Sequence, residues 1–402
     1  MSETQSPAPR TAIITGAGIG GLTAALELAC AGLAVRVFEK SPVISEVGAG
    51  LQLAPNSTRL LRELGVLEQV QRYAVAPDYL RLRRARDGQE LARMPLGAIA
   101  ELRWGAPSLS IHRADLQRVL LEACAAHRNI TVTTGMSVAG FSDNTHAIEI
   151  AVREGDTTHR IHGDVLIAAD GLRSQIRSNL ALGEGDQPIW SGRTAWRACV
   201  PVQEAPLFAR KLETSLWLGA QSHLVHYPIR GGELINIVAI TEDEWRGDST
   251  TDLWAIAGEA KQVAPRFARW HRDARDLIER AKDWKRWPLF DRQPVRRWSL
   301  GRAAVLGDAA HPMLPFFAQG AGQAIEDAAA LGRAFKETRD VREALTHYER
   351  NRTARAEAVV LASRRQGTIY HLSGPFALAR DITLRSLSAS RFMAQVDWLY
   401  KG

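Results

Sequence analysis

Gly16, Gly18 and Gly21 form a GxGxxG run, with Gly20 among them, between the β-branched stretch Thr11–Thr15 and a Leu- and Ala-rich stretch that suits a helix. Glycines here let the backbone approach a pyrophosphate at a helix N-terminus. Glu39 ends a second apolar run, AVRVFE, about twenty residues on, and Lys40 follows it. A carboxylate at that point accepts hydrogen bonds from ribose hydroxyls and repels a 2′-phosphate. Strand, glycine turn, helix and strand make a βαβ unit for a dinucleotide, and this unit alone leaves FAD and NAD open.

Two further runs carry chemistry. They are ADGLRSQIR (Ala169–Arg177) and GDAAHPMLPFFAQGAGQAIED (Gly307–Asp327). With GxGxxG, Asp170-Gly171 and Gly307-Asp308 in this order, the chain resembles the class A flavoprotein aromatic monooxygenases, the salicylate hydroxylase-like family, over nearly its whole length. GAGLQLAPN (Gly48–Asn56), IHRADL (Ile111–Leu116), HYP (His226–Pro228) and WLY (Trp398–Tyr400) add to the match.

The resemblance implies an α/β fold with a Rossmann-like FAD-binding domain of the glutathione reductase type. To this are added an inserted antiparallel β-sheet substrate domain and a helical C-terminal segment. It implies FAD as cofactor, with Asp308 on the ribityl or ribose hydroxyls and Arg113 on the flavin or its phosphates, roles that suit a carboxylate and a guanidinium. Asp170 and Gly171 would lie near the pyrophosphate, with Arg173 and Arg177 placed to support them. Pro315 and the run Gln319–Gly322 precede a helix expected from near Gln323. The N–H groups of Gly320, Ala321 and Gly322 would face the flavin pyrimidine edge and stabilise its charge. No second GxGxxG follows a strand, so NADH or NADPH is expected only as a visiting co-substrate. The reaction implied is attack by a flavin C4a-hydroperoxide, formed with O2, on an electron-rich ring carbon.

Such a site needs a base for a ring hydroxyl and must exclude water. Catalytic candidates are His223, Tyr227, His311 and Gln52, with His226 as a further substrate contact. In SHLVHYPI, alternation puts His223 and Tyr227 on one strand face and His226 on the other. Gln52 stands where hydroxynicotinate enzymes of the family place a His, and Pro315 where 3-hydroxybenzoate 6-hydroxylases place a Gln. The substrate is therefore expected to be a small aromatic carboxylate whose ring is left open. The same fold acting on a bulkier polycyclic or isoprenoid substrate is the alternative. A non-catalytic FAD-binding or redox-sensing protein is the reading from a different class.

The elements that must position these residues follow from pattern. Residues 10–75, 104–182 and 291–335 read as the FAD-binding part, 76–103 and 183–290 as the substrate part, and 336–402 as a C-terminal helical segment. One helix is expected over 55–70, strands over 78–103, a strand over 130–138, antiparallel strands over 190–240 and helix over 251–285. The chain of 402 residues has a net charge of +7, but its arginines are scattered and argue against nucleic acid. Three cysteines without a CxxC suggest neither disulfides nor a metal site. With no apolar leader or spanning run, a cytoplasmic protein is expected. The helix-rich end could pack on its own body or make a homodimer.

Overall fold

The runs TAIIT and VLIA are apolar on successive residues, as parallel strands covered on both faces must be. In the computed structural model, which describes residues 10–44, 49–144, 147–180, 186–244 and 256–401, they form the centre of a six-stranded sheet. Its order is Ser299–Leu300, Ala303–Val305, Val165–Ala168, Thr11–Thr15, Ala34–Glu39, Ile130–Thr134. All neighbours are parallel except the edge pair Ser299–Leu300 with Ala303–Val305. Helices Ile19–Cys30 and Gly320–Glu337 pack on each other, and Arg113–Ala126 packs on the first.

A second sheet has eight strands: Ile256–Ala257, Lys285–Asp291, Ile189–Pro201, Leu234–Glu242, Ser222–Ile229, Glu213–Gly219, Tyr79–Arg84 and Glu90–Pro95. It is antiparallel except where Glu213–Gly219 runs parallel to Tyr79–Arg84, a pairing that the all-antiparallel expectation missed. One face buries Trp196, Trp217, Leu224 and Ile237 against Val263, Phe267, Leu277 and Ile278 of the helical segment 260–280. The other face packs Ala195, Ile240 and Trp287 against Leu314 and Phe316, which belong to the loop after Gly307-Asp308. A site between sheet and loop follows from this layering. Strands Gly50–Leu53 and Leu109–His112 pair as a small ribbon that reaches the same face.

Some expected elements break. Leucine spacing continues through 55–70, but Gly65, at φ +78°, divides it into helices Pro55–Glu63 and Leu67–Gln71. Gly135, at φ +74°, similarly splits 130–138 into strands of two sheets. Residues Gly97–Trp104 are helical rather than extended. The helix expected from Gln323 begins at Gly320. The C-terminal part holds the 30-residue helix Val341–Tyr370 and three shorter helices. No described helix is long and apolar enough to cross a membrane. The expected start of the helix over 251–285, the 182/183 boundary, Gly48 of the GAGLQLAPN match and most of the polar leader lie outside the described residues.

Candidate active site

The turn after the first strand is shaped by what its glycines touch. Gly16 has φ +97°, and a Cβ there would lie 2.5 Å from the Ala169 carbonyl oxygen, while one on Gly21 would collide with the Gly16 carbonyl oxygen. Gly20 faces Leu306 and Ala324. Gly18 differs, since beyond its own chain neighbours no atom of the described residues lies within 4 Å of its absent Cβ. The N–H groups of the first helical turn that follows have no intrahelical acceptor, so this open side is suited to an anion. Glu39 secures the turn, accepting from Ala17 N at 2.9 Å and from Ser41 N at 2.9 Å. Each carboxylate oxygen keeps a lone pair for a further donor. Lys40 is exposed beside it. From helix Arg113–Ala126, Gln117 donates to the Ala17 carbonyl at 2.8 Å, a clamp that the sequence did not announce.

Asp170 lies against this turn, its Cα 3.3 Å from the Cβ position of Gly16. Its Oδ2 accepts from Gln175 N, while Oδ1 is buried without a hydrogen-bond partner among the described residues, and burial raises the pKa of the carboxyl. Gly171 has φ +81° and open space on its Cβ side. Arg177, fully buried, joins the two Asp motifs by pairing with Asp186 and donating to the carbonyls of Ala309 and Ala310. Asp308 Oδ1 lies 3.9 Å from the Cβ position of Gly320. The N–H groups of Gly320, Ala321 and Gly322 open the helix Gly320–Glu337, whose first backbone bond is Gln323 N to Gln319 O. Arg113 begins its own helix, and its backbone N–H donates to the Ala49 carbonyl.

Across from this helix start, the eight-stranded sheet presents His223 and Tyr227. The His223 ring lies 5.4 Å from Phe316 and 5.3 Å from Tyr370. Tyr227 is buried close to Gln52, and burial raises its pKa. Arg197 comes from Ile189–Pro201, the next strand but one, with its guanidinium 5.1 Å from the Trp287 ring and Tyr227 in its field. Arg197 retains accessible surface, yet desolvation lowers its pKa. A side chain on the wall of an internal hollow behaves this way. Val225, Val238, Gln52, Pro315 and Tyr370 likewise keep partial exposure around it. No described carboxylate pairs with Arg197, and its Nε is buried without a hydrogen-bond partner.

Two candidates lie elsewhere. His226 is on the opposite sheet face as alternation requires, edge-on to Phe208 at 5.5 Å. Burial holds its pKa down at about 3, and neither ring nitrogen has a partner among the described residues. It is a buried histidine on the face turned away from His223 and Tyr227. His311, expected among the catalytic candidates, is held in the interior of the first unit. Its Nε2 is 2.6 Å from Asp327 Oδ2 and its ring packs on Trp298. Asp327 also accepts from Gly307 N at 2.9 Å and from Arg352 Nε at 2.7 Å. His311 therefore positions the Gly307-Asp308 turn rather than facing the hollow.

A family profile described as an FAD binding domain matches residues 10–363. The chain belongs to this FAD-binding family. It is 36% identical over 403 aligned residues to the 3-hydroxybenzoate 6-hydroxylase of Polaromonas naphthalenivorans, covering 98% of this chain and 96% of that one. It is 35% identical to the 6-hydroxynicotinate 3-monooxygenase of Bordetella bronchiseptica, covering 87% and 89%. The structure of Klebsiella pneumoniae HpxO complexed with FAD and uric acid superposes with a TM-score of 0.86 at 26% identity, covering 98% of this chain and 97% of that one. The protein is an FAD-dependent monooxygenase, and FAD is its cofactor.

The residues fit that cofactor on their own geometry. The open side of Gly18 leaves room for a pyrophosphate, the unpartnered Asp170 Oδ1 can take a hydroxyl or N–H, and the orphan amides at Gly320–Gly322 can meet a negative edge. Arg197 and Asn236 lie on the sheet face that carries His223 and Tyr227, and His371 lies behind His223; motif reading singled out none of them. For Arg197 a signal existed: in RTAWRACV, alternation sets it opposite the core-facing Trp196.

Proposed function

We propose that the chain uses NAD(P)H and O2 to hydroxylate a small aromatic acid bearing a ring hydroxyl, hydroxybenzoate-like or N-heteroaromatic. The reaction takes place in the hollow between the eight-stranded sheet and the loop Leu314–Gly322. Residues 76–103 and 183–290 form the substrate part in this reading, and the segments around them hold FAD. The observation that carries it is the Arg197 guanidinium, desolvated, without a described carboxylate partner, and on the sheet face that also carries His223 and Tyr227. A cation taken out of water needs an anion, and a substrate carboxylate supplies one.

FAD, when bound, supplies the reductive activation of O2. The chain's own residues do the rest. Arg197 fixes the carboxylate end of the ring, while Tyr227 and Gln52, close to each other, set its plane. Burial holds the pKa of His223 well below its ordinary value, so the ring is neutral at physiological pH and has a lone pair for the proton of the ring hydroxyl. Losing that proton makes the ring more electron-rich. Phe316, Leu314, Trp287 and Tyr370 keep water away.

The test is substrate-stimulated NADH and NADPH oxidation with 3-hydroxybenzoate, 6-hydroxynicotinate and their carboxamides, with product counted against nucleotide consumed. An acid hydroxylated in near stoichiometry, and a KM raised about 100-fold in Arg197→Met, is the expected result. Carboxamides turned over as well as the acids would overturn the reading.

A further inference from the structure

Behind His223 runs a line of side chains that the proposed reaction does not yet use. His223 Nδ1 lies 2.8 Å from His371 Nε2, and His371 Nδ1 lies 3.1 Å from Glu242 Oε1. The three come from separate elements: strand Ser222–Ile229, the residue that ends helix Val341–Tyr370, and the last residue of strand Leu234–Glu242. His223 is 2% and His371 5% exposed, whereas the Glu242 side chain is 37% exposed. The line thus runs from the sealed hollow to solvent.

We infer that His371 and Glu242 form a proton exit, with His223 as its inner end, through which the substrate hydroxyl proton reaches bulk water. This rests on the reading above that a hydroxylated acid occupies the hollow. The Phe316 and Tyr370 rings flanking His223 exclude water there, so the proton needs a route made of protein.

Hydrogen-bond partners assign the tautomers. A carboxylate accepts, so His371 Nδ1 donates to Glu242, its Nε2 then accepts from His223 Nδ1–H, and His223 Nε2 is left as the free base. Arg193 Nε lies farther from His371 Nδ1, at 3.4 Å, and Arg193 also pairs with Glu242 at 3.6 Å. The charged groups around His371 are Glu242, Arg193 and Arg380, and Arg380 caps the carbonyls of Ile369 and Tyr370 and binds Asp381. Around His223 they are His371 and Arg193. Burial is the largest cause holding His371 down to about 4, with Glu242 opposing it and Arg193 adding to it. Neither ring stores a proton, so each passes it on.

The step balances. The substrate O–H bond breaks as an N–H bond forms at His223 Nε2, His223 Nδ1–H passes to His371 Nε2, and His371 Nδ1–H passes to Glu242 Oε1 and on to water. Both rings end in the other tautomer. A proton returning inward to the product restores them, so one turnover leaves no net change in the line.

The FAD-loaded protein is mixed with 3-hydroxybenzoate, and in parallel with 6-hydroxynicotinate, in weak buffer with a pH-indicator dye, and proton release is followed by stopped flow. Glu242→Gln keeps the hydrogen bond but cannot carry the proton, and His371→Gln interrupts the line. The expected result is release slowed roughly ten-fold or more in both, with unchanged affinity for the acid and with rate restored by added imidazole in His371→Gln. Release as fast as wild type in the folded Glu242→Gln variant overturns the exit and leaves the substrate reading standing. No release from wild type with either acid overturns that reading and the exit with it. Histidine-selective 15N spectra without substrate add an independent check. A His223 protonated on Nε2 instead of Nδ1 also overturns the line.

Discussion

Gly50 and Tyr227 meet so closely that a Cβ on Gly50 would lie 2.7 Å from Tyr227 Cε2. The Gly50 amide also donates to Asn236 Oδ1 at 2.7 Å, so the ribbon Gly50–Leu53 is fastened to the inner face of the eight-stranded sheet at the Tyr227 ring. Gly50→Ala is expected to cost about 1–3 kcal/mol of stability through overpacking and to displace Tyr227. A raised KM for the acid with an unchanged FAD dissociation constant is the expected pattern. An alanine variant with wild-type KM and Tm would contradict it.

Gly18 and Gly21 separate cofactor binding from folding. Beyond its chain neighbours no described residue stands within 4 Å of the Cβ position of Gly18, whereas Gly21 faces the Gly16 carbonyl. Gly18→Ala is expected to leave the Tm of the cofactor-free protein unchanged while weakening FAD roughly ten-fold or more, because the methyl enters the space a pyrophosphate needs. Gly21→Ala should lower the Tm of the cofactor-free protein as well. Fluorescence quenching of titrated FAD and a melting curve decide both.

Asp327 carries three partners that hold the Gly307-Asp308 turn: His311, Arg352 and the Gly307 amide. Burial opposes its charge, but His311 and Arg352 outweigh that and hold its pKa down at about 2. Asp327→Asn leaves Arg352 with Glu326 as its one charged partner among the described residues and is expected to cost about 3 kcal/mol, read as a shift in urea midpoint. The folded-state pKa is below the unfolded one, so the Asp327 contribution is full above about pH 4 and fades as the pH falls towards 2.

His226 makes stability sensitive at a milder pH. Its folded pKa is about 3 against 6.5 for the free side chain, so below pH 6.5 the unfolded chain takes up a proton that the folded one refuses. Between pH 8 and pH 5 this costs about 2 kcal/mol. In His226→Leu that part of the acid slope should vanish, and parallel slopes for variant and wild type would refute the assignment.

The local parts of this site were legible. GxGxxG with Glu39, Asp170-Gly171 and Gly307-Asp308 are short motifs whose function depends on backbone within a few residues, and alternation alone put His223 and Tyr227 opposite His226. The breaks at Gly65, between two helices, and at Gly135, between two strands, were harder, because leucine or β-branched spacing runs through both and only the positive φ breaks the element. His371, Arg197 and Asn236 depend on which strands pair and where a 30-residue helix stops. Spacing says nothing about contacts such as His223 with His371, which lie 148 residues apart. His311 drew notice through its motif, and the motif gives no sign that its ring nitrogen is taken up by Asp327 in the interior.

The FAD cradle joins the turn at Gly16 to the helix that starts at Gly320, and that helix is anchored by Arg352 from the next one. During synthesis, then, the nascent chain cannot close around its flavin until nearly nine-tenths of it has emerged from the ribosome, about a minute at slow elongation rates. Until then the apolar parallel strands at its N-terminal end wait without their last covering layer. Flavin supply in the cell should therefore act on the released chain, governing how much of it matures rather than how fast it is made.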